Sequence, residues 1–203
     1  MDEPVEVLRR GLEDAIRSLP EGFYDTFEFT ITGTNLCHPV TLGLLAKVVG
    51  EMDGIGYVGI DVKLNAGKGL KFQPDIVGYR DSAGLRDNKA AIYVDFESPN
   101  SCDTRITTEH HLEDYLDWVK KPQHRAPYVI ITSLPDAHAP SWKLLYPSYY
   151  RNFEHRGKLK EVRDNPFRYW TAVWKKDLRT RPKFSDVYFL NINRDKVIAF
   201  HLP

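Results

Sequence analysis

The stretch Ile92-Tyr93-Val94-Asp95-Phe96-Glu97 decides the fold, because it has the compact apolar character of a central strand and yet carries two acids. A strand alternates its side chains with a period of two, so Tyr93, Asp95 and Glu97 share one face and the three apolar side chains share the other. An ionised carboxylate on a buried strand is costly unless it is paired or bound to a cation. The stretch therefore predicts a central strand whose acids have a specific partner.

A second acid interrupts the earlier apolar segment Phe72-Gln73-Pro74-Asp75-Ile76-Val77. If these two strands are neighbours, Asp75 meets Asp95 and Glu97 at one end of the sheet. Three clustered carboxylates suit a hard divalent cation such as Mg²⁺. The alternative is that the three acids end their strands facing solvent or paired with Arg, and the pattern alone leaves it open.

Outward from these strands, the periodicity of apolar residues predicts alternating helices and strands. The predicted helices are residues 4–19, 39–52 and 107–120, with further helical pieces around 148–156 and 167–178. The predicted strands are residues 27–31, 57–64, 70–79, 91–96, 128–134, 187–192 and 197–202. The second and third of these strands form a probable hairpin, as do the last two. This order predicts an α/β fold with a mixed sheet flanked by helices.

Length and composition are those of one globular domain, residues 1–203. Of the 203 residues 42% are hydrophobic and 28% charged, and no stretch approaches the roughly 18 apolar residues that span a bilayer. The acidic N-terminus lacks the layout of a signal peptide. Cys37 and Cys102 are too few for a disulfide framework or a zinc site. We therefore expect a cytoplasmic protein that does not associate with membranes.

Charge is unevenly distributed although the formal net charge is zero. Residues 1–142 hold 14 Lys and Arg against 22 Asp and Glu, whereas residues 143–183 hold 12 against 4. The basic segment is also rich in aromatic residues. Such asymmetry is typical of a surface for a polyanion, and it is equally compatible with a solvated basic face.

The two acidic segments together resemble the signature of the PD-(D/E)XK, or restriction-endonuclease-like, nuclease superfamily. Pro74-Asp75 matches the family's Pro-Asp, and Asp95 matches its second acid after a typical gap of twenty residues. The family's αβββαβ core matches the predicted order over residues 39–134. The resemblance implies that residues 142–203 are a C-terminal addition, with another addition at the N-terminus.

The sequence departs from the signature at one position, where Glu97 replaces the family's Lys. A minority of restriction enzymes in the superfamily also carry an acid there. Lys63 is the candidate for a relocated lysine, although it also fits an ordinary strand Lys. An additional Glu on the first core helix is common in the family. Glu51 is the candidate, since its spacing from Leu44 and Val48 predicts a position on or beside the buried face, and the alternative is a solvated charge.

The resemblance implies a Mg²⁺- or Mn²⁺-dependent endonuclease that hydrolyses phosphodiester bonds of DNA, most commonly double-stranded, and that dimerises as many such nucleases do. Asp75, Asp95 and the Phe96 carbonyl would hold the metal, which polarises the phosphoryl oxygen and acidifies a water. Glu97 would orient or deprotonate that water or hold a second metal, and Lys63 would stabilise developing charge. The candidate phosphate contacts are Arg105, Arg151, Arg156, Lys158, Lys160, Arg163 and Arg168.

Two other functions are compatible with the same residues. The replacement of the family's Lys by Glu97 also fits a catalytically inactive nuclease fold that serves as a DNA-binding or assembly module. A metal-dependent hydrolase of small phosphoesters would need the same carboxylates without the basic segment. The sequence does not separate DNA from RNA as the substrate.

Overall fold

The computed structural model describes residues 3–18, 37–65, 71–97, 114–132, 186–193 and 196–201. Two long helices come first, and both were predicted. Helix α1 (Glu3–Arg17) buries the predicted stripe of Val5, Leu8, Leu12 and Ile16. Helix α2 (Cys37–Gly50) has Pro39 in its first turn, where the missing N–H costs little, and it ends shortly before Gly54, whose φ is 78°.

Eight strands follow among the described residues. They are β1 (Tyr57–Ile60), β2 (Leu64–Asn65), β3 (Lys71–Phe72), β4 (Ile76–Tyr79), β5 (Ile92–Glu97), β6 (Tyr128–Thr132), β7 (Val187–Asn193) and β8 (Lys196–His201). Six of them form one mixed sheet in the order β1-β4-β5-β6-β7-β8, and β2 pairs with β3 in a separate two-stranded sheet. Strand β5 is antiparallel to β4 and parallel to β6, so it is central as predicted. The predicted α/β class and mixed sheet are therefore confirmed.

Both predicted hairpins are present, but the first one is broken in both arms. Strand β1 pairs with β4 and β2 with β3, so each long predicted strand is two short ones. One break is at Asp61, whose φ of 53° is outside the extended region. The other lies at residues 73–75, where Pro74 removes a ladder donor. The alternation of apolar residues continues through both breaks, which is why periodicity alone predicted continuous strands.

The two faces of the sheet have different chemistry. Even-numbered positions of β4 and β5 and odd-numbered positions of β6 join α1 and α2 in an aliphatic core. This core includes Leu45, Val48, Val49, Ile76, Ile92, Val94, Val129, Ile131 and Leu190. The opposite face carries buried aromatic residues, namely Tyr79, Tyr93, Tyr128 and Phe189. Among the described residues, most buried hydroxyl groups therefore lie on the aromatic face, whereas Tyr188 belongs to the core on the other face.

Helix α1 also covers the outer edge of β8. The Val197 N–H donates to Oε1 of Glu13 at 3.0 Å, and Arg9 Nη1 donates to the Val197 carbonyl at 3.4 Å and to Glu13 Oε1 at 2.7 Å. This Arg–Glu pair thus takes the place of a further strand at Val197. At Val197 the outer edge of β8 is therefore not open to pairing with another strand.

Some local predictions were wrong or lie outside the described residues. The loop predicted after β4 contains a short helix, α3 (Ser82–Arg86), which Asp81 caps by accepting the Gly84 N–H. Helix α4 is described over residues 114–118 and precedes a 3-10 turn, Pro122–His124. It buries Tyr115 and Trp118, whereas Leu116 and Val119, which apolar spacing also places on the inner face, are only partly buried. The segments predicted at 27–31, 148–156 and 167–178 lie outside the described residues.

The hydroxyl of Tyr79 has no hydrogen-bond partner among the described residues, although only 1% of the residue is exposed. Burial also raises the pKa of this hydroxyl. We expect Tyr79→Phe to increase the free energy of unfolding by about 1 kcal/mol, because it removes a desolvated hydroxyl without emptying the site. Urea titration measures the change.

A matched control for Tyr79→Phe is Tyr93→Phe. The Tyr93 hydroxyl donates to the His124 carbonyl at 3.0 Å and accepts from Trp118 Nε1 at 2.8 Å. Its loss should destabilise the protein by about 1–2 kcal/mol. If Tyr79→Phe destabilised the protein as Tyr93→Phe is expected to, the Tyr79 hydroxyl would have to make a hydrogen bond, and the prediction would be wrong.

Acid should weaken helix α1 through Glu6. The hydrogen bond from Arg9 lowers the pKa of the Glu6 carboxyl from 4.5 to about 2, with Arg10 adding to the effect against the cost of burial. A lowered folded-state pKa gives stability that is present above pH 4.5 and is lost as the pH falls towards 2. In the wild type, we expect the free energy of unfolding to fall by about 0.5–1 kcal/mol through Glu6 over this pH range, and Glu6→Gln should remove that loss. Solvent screening keeps the value small.

Thermal unfolding of Glu6→Gln between pH 6 and pH 2.5 measures the effect. Arg9→Gln should flatten the same pH range, since it removes the main donor to Glu6. A variant that kept the full acid sensitivity of the wild type would show that Glu6 is not its source.

Candidate functional site

Asp75 and Asp95 lie at the same level of adjacent strands, at the end of the β4–β5 ladder. The register pairs Ile76 with Val94, so the next position along each strand brings Asp75 opposite Asp95. Asp95 is inside β5, whereas Asp75 directly precedes β4. The predicted meeting of these two acids across neighbouring strands is what the structure has.

At this point, hydrogen bonds from backbone N–H groups to the two carboxylates replace the backbone hydrogen bonds of the ladder. The Asp75 N–H donates to Oδ1 of Asp95 at 2.7 Å, and the Phe96 N–H donates to Oδ2 of Asp75 at 2.8 Å. Each carboxylate therefore binds the backbone of the other strand. This reciprocal arrangement, which we call the acid pair, fixes both carboxylates relative to the two strands.

Pro74 explains why the ladder ends here. The same register, continued by one more residue, would bring Pro74 opposite Phe96. Proline has no N–H, so Pro74 cannot donate to the Phe96 carbonyl as a ladder residue would. The Phe96 N–H, which points towards β4, is bound by the Asp75 carboxylate instead of by a backbone carbonyl.

Asp95 is the deeper member of the acid pair. It is 1% exposed, whereas Asp75 is partly exposed. Tyr128 OH donates to Oδ2 of Asp95, so the described contacts place one donor on each oxygen of this carboxylate. Hydrogen bonds to both oxygens offset part of the desolvation cost of a buried charge.

Aromatic rings hold Tyr128 in place. Its ring stacks on Tyr115 at a centroid distance of 4.8 Å and meets Phe72 edge-on at 5.5 Å. Phe72 also makes an edge contact with Tyr93 at 5.1 Å. The rings of Tyr115, Phe72 and Tyr93 thus form a packed aromatic cluster around the tyrosine that donates to Asp95.

The tyrosines around Tyr128 are neutral hydroxyl donors. Burial raises the pKa of Tyr93 and of Tyr115 well above the ordinary value. Tyr115 OH donates to the Ala126 carbonyl at 3.0 Å. The imidazole of His124 stacks on Trp118 at 3.8 Å, and its pKa is lowered by burial. The aromatic face therefore adds no positive charge through His124 at neutral pH.

A third acid, Asp61, lies beside the acid pair on the other side of Asp75. Its N–H donates to the Asp75 carbonyl at 2.8 Å, and its exposed carboxylate accepts a hydrogen bond from the Gln73 amide. The backbone at Asp61, Asp75 and Asp95 thus forms one row across three neighbouring strands. Among the residues that the structure describes, no group of three or more Asp, Glu, His or Cys is arranged to hold a metal ion.

The predicted position of Glu51 is wrong. Its side chain is 64% exposed and lies 3.4 Å from Lys47 Nζ, so it is not on or beside the buried face. Glu51 follows the last residue of α2 and sits one turn after Lys47 on the solvent side. It also precedes Tyr57, which pairs with Tyr79. Tyr79 is at the end of β4 remote from Asp75, about 13 Å along the strand.

The structure does not test the roles predicted for Lys63, Glu97 and the candidate phosphate contacts. Lys63 is exposed and lies two residues after Asp61, outside β1, so its role as a relocated lysine stays a prediction. The backbone of Glu97 continues β5 opposite Thr132, but its side chain lies outside the described part of the molecule. The candidate phosphate contacts, all between Arg105 and Arg168, also lie outside the described ranges.

Two surface cavities lie at the opposite end of the sheet from the acid pair. One of about 320 Å³ is lined by both acids and bases, including Asp81, Asp87 and Lys89. The other, of about 260 Å³, lies between α1 and the chain after α2 and includes Met52. Arg80 lines both cavities and directly follows β4. Neither cavity is lined by a residue of the acid pair.

Sequence reasoning missed Tyr128, although a signal for it was present. Parallel pairing of β5 with β6 sets Tyr93 beside Tyr128 and Asp95 beside Ile130. Tyr128 is therefore the diagonal neighbour of Asp95 on the same face, within reach of a long aromatic side chain. The register of β5 against β6 was the missing information, and no turn connects these strands to fix it.

Comparison with known proteins gives no relative. No family model, no curated protein and no solved structure matches the chain. Within the part of the chain that the structure describes, no helix has the length and apolar character to cross a membrane.

Proposed function

We propose that this protein is a cytoplasmic, Mg²⁺-dependent endonuclease that hydrolyses phosphodiester bonds of double-stranded DNA, with the acid pair at its active site. The observation that carries the proposal is the convergence of Asp75 and Asp95 where the β4–β5 ladder ends. Carboxylate groups on rigid strands are the positions at which a metal-dependent hydrolase needs its ligands.

The donor set fits a hard divalent cation. Carboxylate and carbonyl oxygens are the ligands that Mg²⁺ and Mn²⁺ prefer, and the acid pair is built from oxygen donors alone. Pro74 adds to the fit, because it cannot donate a ladder hydrogen bond to the Phe96 carbonyl. Asp75, Asp95 and the Phe96 carbonyl are thus the groups that would hold the ion.

When bound, the metal would polarise a phosphoryl oxygen and make a nearby water more acidic. Asp75 and Asp95 would hold the ion at a fixed place between two strands. Glu97, which follows Asp95 with the same strand-face periodicity, would accept a proton from the attacking water. Lys63, near the strand break at Asp61, would stabilise negative charge that develops on the phosphate.

The order of elements also favours this assignment. Apart from the short β2–β3 pair and the short helix α3, the elements from α2 through β1, β4, β5 and α4 to β6 have the αβββαβ order of restriction-endonuclease-like nucleases. The parallel pairing of β5 with β6 across an intervening helix fits the same arrangement. Fold alone does not determine activity, so the proposal depends on the acid pair.

DNA is the proposed substrate because of the charge distribution. Residues 143–183 carry 12 Lys and Arg against 4 Asp and Glu, whereas the acidic remainder would repel a polyanion. A small phosphoester would need no such extended basic segment.

Mn²⁺ or Mg²⁺ should stabilise the protein against unfolding. A ligand that binds only the folded state at 100 times its dissociation constant adds about 2.7 kcal/mol. Asp75→Asn and Asp95→Asn should lose this stabilisation, because amides are weaker ligands for hard cations. Asp53→Asn is the matched control, since Asp53 is exposed and lies at the other end of β4. Melting curves that are insensitive to the metal would refute the proposed site.

Plasmid nicking tests the activity itself. The wild type with Mg²⁺ should convert supercoiled DNA to nicked or linear forms. Asp75→Asn and Asp95→Asn should each lose about 10²–10⁴-fold in rate, since each removes several kcal/mol of metal-dependent stabilisation. Asp53→Asn should cut like the wild type.

Other outcomes of the nicking experiment separate the alternatives. DNA retention in a gel-shift assay without any cleavage would identify a binding module, in which Glu97 has replaced the Lys and activity is lost. Turnover of a small aryl phosphate without cleavage of DNA would identify a phosphoester hydrolase. Either result would overturn the endonuclease proposal.

A further inference from the structure

Tyr128, on the neighbouring parallel strand, holds the Asp95 carboxylate through its phenol. Tyr128 OH donates to Oδ2 of Asp95, while the Asp75 N–H donates to Oδ1. These donors have different origins, because one belongs to the backbone of the acid pair and the other to a side chain of β6. Only the second can be removed without altering the backbone.

The ring of Tyr128 is fixed on two sides. Tyr115 stacks against it, with 30° between the planes, and Phe72 meets it at 90°. Tyr128 is fully buried, and Tyr115 is 3% exposed. A ring confined in this way presents its hydroxyl in one direction, so the hydrogen bond to Asp95 costs little additional side-chain entropy.

We propose that Tyr128 is a positioning residue for the metal centre, which holds the Asp95 carboxylate in the orientation that binds the divalent cation. This inference rests on the proposed function. Hydrogen-bond partners of ligating carboxylates fix the direction of their lone pairs, and their loss typically weakens metal affinity by about 10–100-fold. The tyrosine touches neither substrate nor metal and acts through Asp95.

Tyr128→Phe tests this role, because it deletes the hydroxyl and keeps the ring between Tyr115 and Phe72. Calorimetric titration with Mn²⁺ alone should give a dissociation constant about 10–100 times that of the wild type. In nicking assays the rate at low Mn²⁺ should fall and should recover at saturating Mn²⁺. The KM for DNA should stay unchanged.

Tyr93→Phe is the matched control. Tyr93 is the register partner of Tyr128 on β5 and is equally buried, but its hydroxyl binds the His124 carbonyl and Trp118. Its loss should leave Mn²⁺ affinity at the wild-type value. A merely structural role for Tyr128 would instead weaken Mn²⁺ binding equally in both variants.

Replacement of Tyr128 by 4-aminophenylalanine supplies the rescue. This side chain has an N–H donor at the position of the phenol oxygen, so it should restore Mn²⁺ affinity to near the wild-type value. It also tests the proposal if Tyr128→Phe does not fold. Failure of the amino variant to bind Mn²⁺ more tightly than Tyr128→Phe, or to bind it with near wild-type affinity where the Phe variant is unfolded, would overturn the inference.

The remaining outcomes distinguish this inference from the proposed function. If the wild type binds Mn²⁺ through Asp75 and Asp95 but Tyr128→Phe binds it equally well, the positioning role alone is wrong. If the wild type binds no Mn²⁺, both the metal centre and the role of Tyr128 are wrong.

Discussion

The constraint on which this site depends is the burial of a carboxylate inside a β-sheet. Asp95 is 1% exposed, and an acid at that depth needs donors for its oxygens. The β4–β5 ladder cannot supply them while it remains intact, because its N–H groups are bound to carbonyls. Pro74 interrupts the ladder, and the Asp75 N–H then binds Asp95 while the Phe96 N–H binds Asp75. The acid pair therefore forms at the place where the ladder ends, because the interrupted ladder leaves these N–H groups for the two carboxylates.

The two faces of the sheet differ in chemistry, and this difference determines which face can hold the buried carboxylate of Asp95. The face towards α1 and α2 is mostly aliphatic, and Tyr188 is the phenol that its described core contains. The opposite face carries tyrosines, whose rings fill space as apolar groups while their hydroxyls donate. Tyr128 uses this property towards Asp95, and Tyr93 uses it towards the His124 carbonyl. Tyr79 is the exception on this face, since its hydroxyl has no partner among the described residues.

Much of this arrangement was predictable because it depends on local periodicity. Alternation along β5 placed Asp95 opposite the aliphatic core, and the Pro-Asp segment predicted a neighbouring strand for Asp75. Predictions failed where a single backbone angle or the end of a helix decided the outcome. The φ of 53° at Asp61 broke a strand that alternation had extended, and Glu51 follows the last residue of α2 with its side chain exposed beside Lys47. Neither effect leaves a trace in apolar spacing.

The position of the acid pair has a cost that favours a functional explanation. Two carboxylates on adjacent strands repel each other, and the buried Asp95 also carries a desolvation cost that an apolar residue would not. Structural acids elsewhere in the molecule avoid this cost, since Glu6 and Glu13 lie on a helix surface beside Arg9. The acid pair is instead concentrated where β4 and β5 separate and where Pro74 cannot donate to the Phe96 carbonyl. A divalent cation at this point would convert the repulsion between Asp75 and Asp95 into shared coordination.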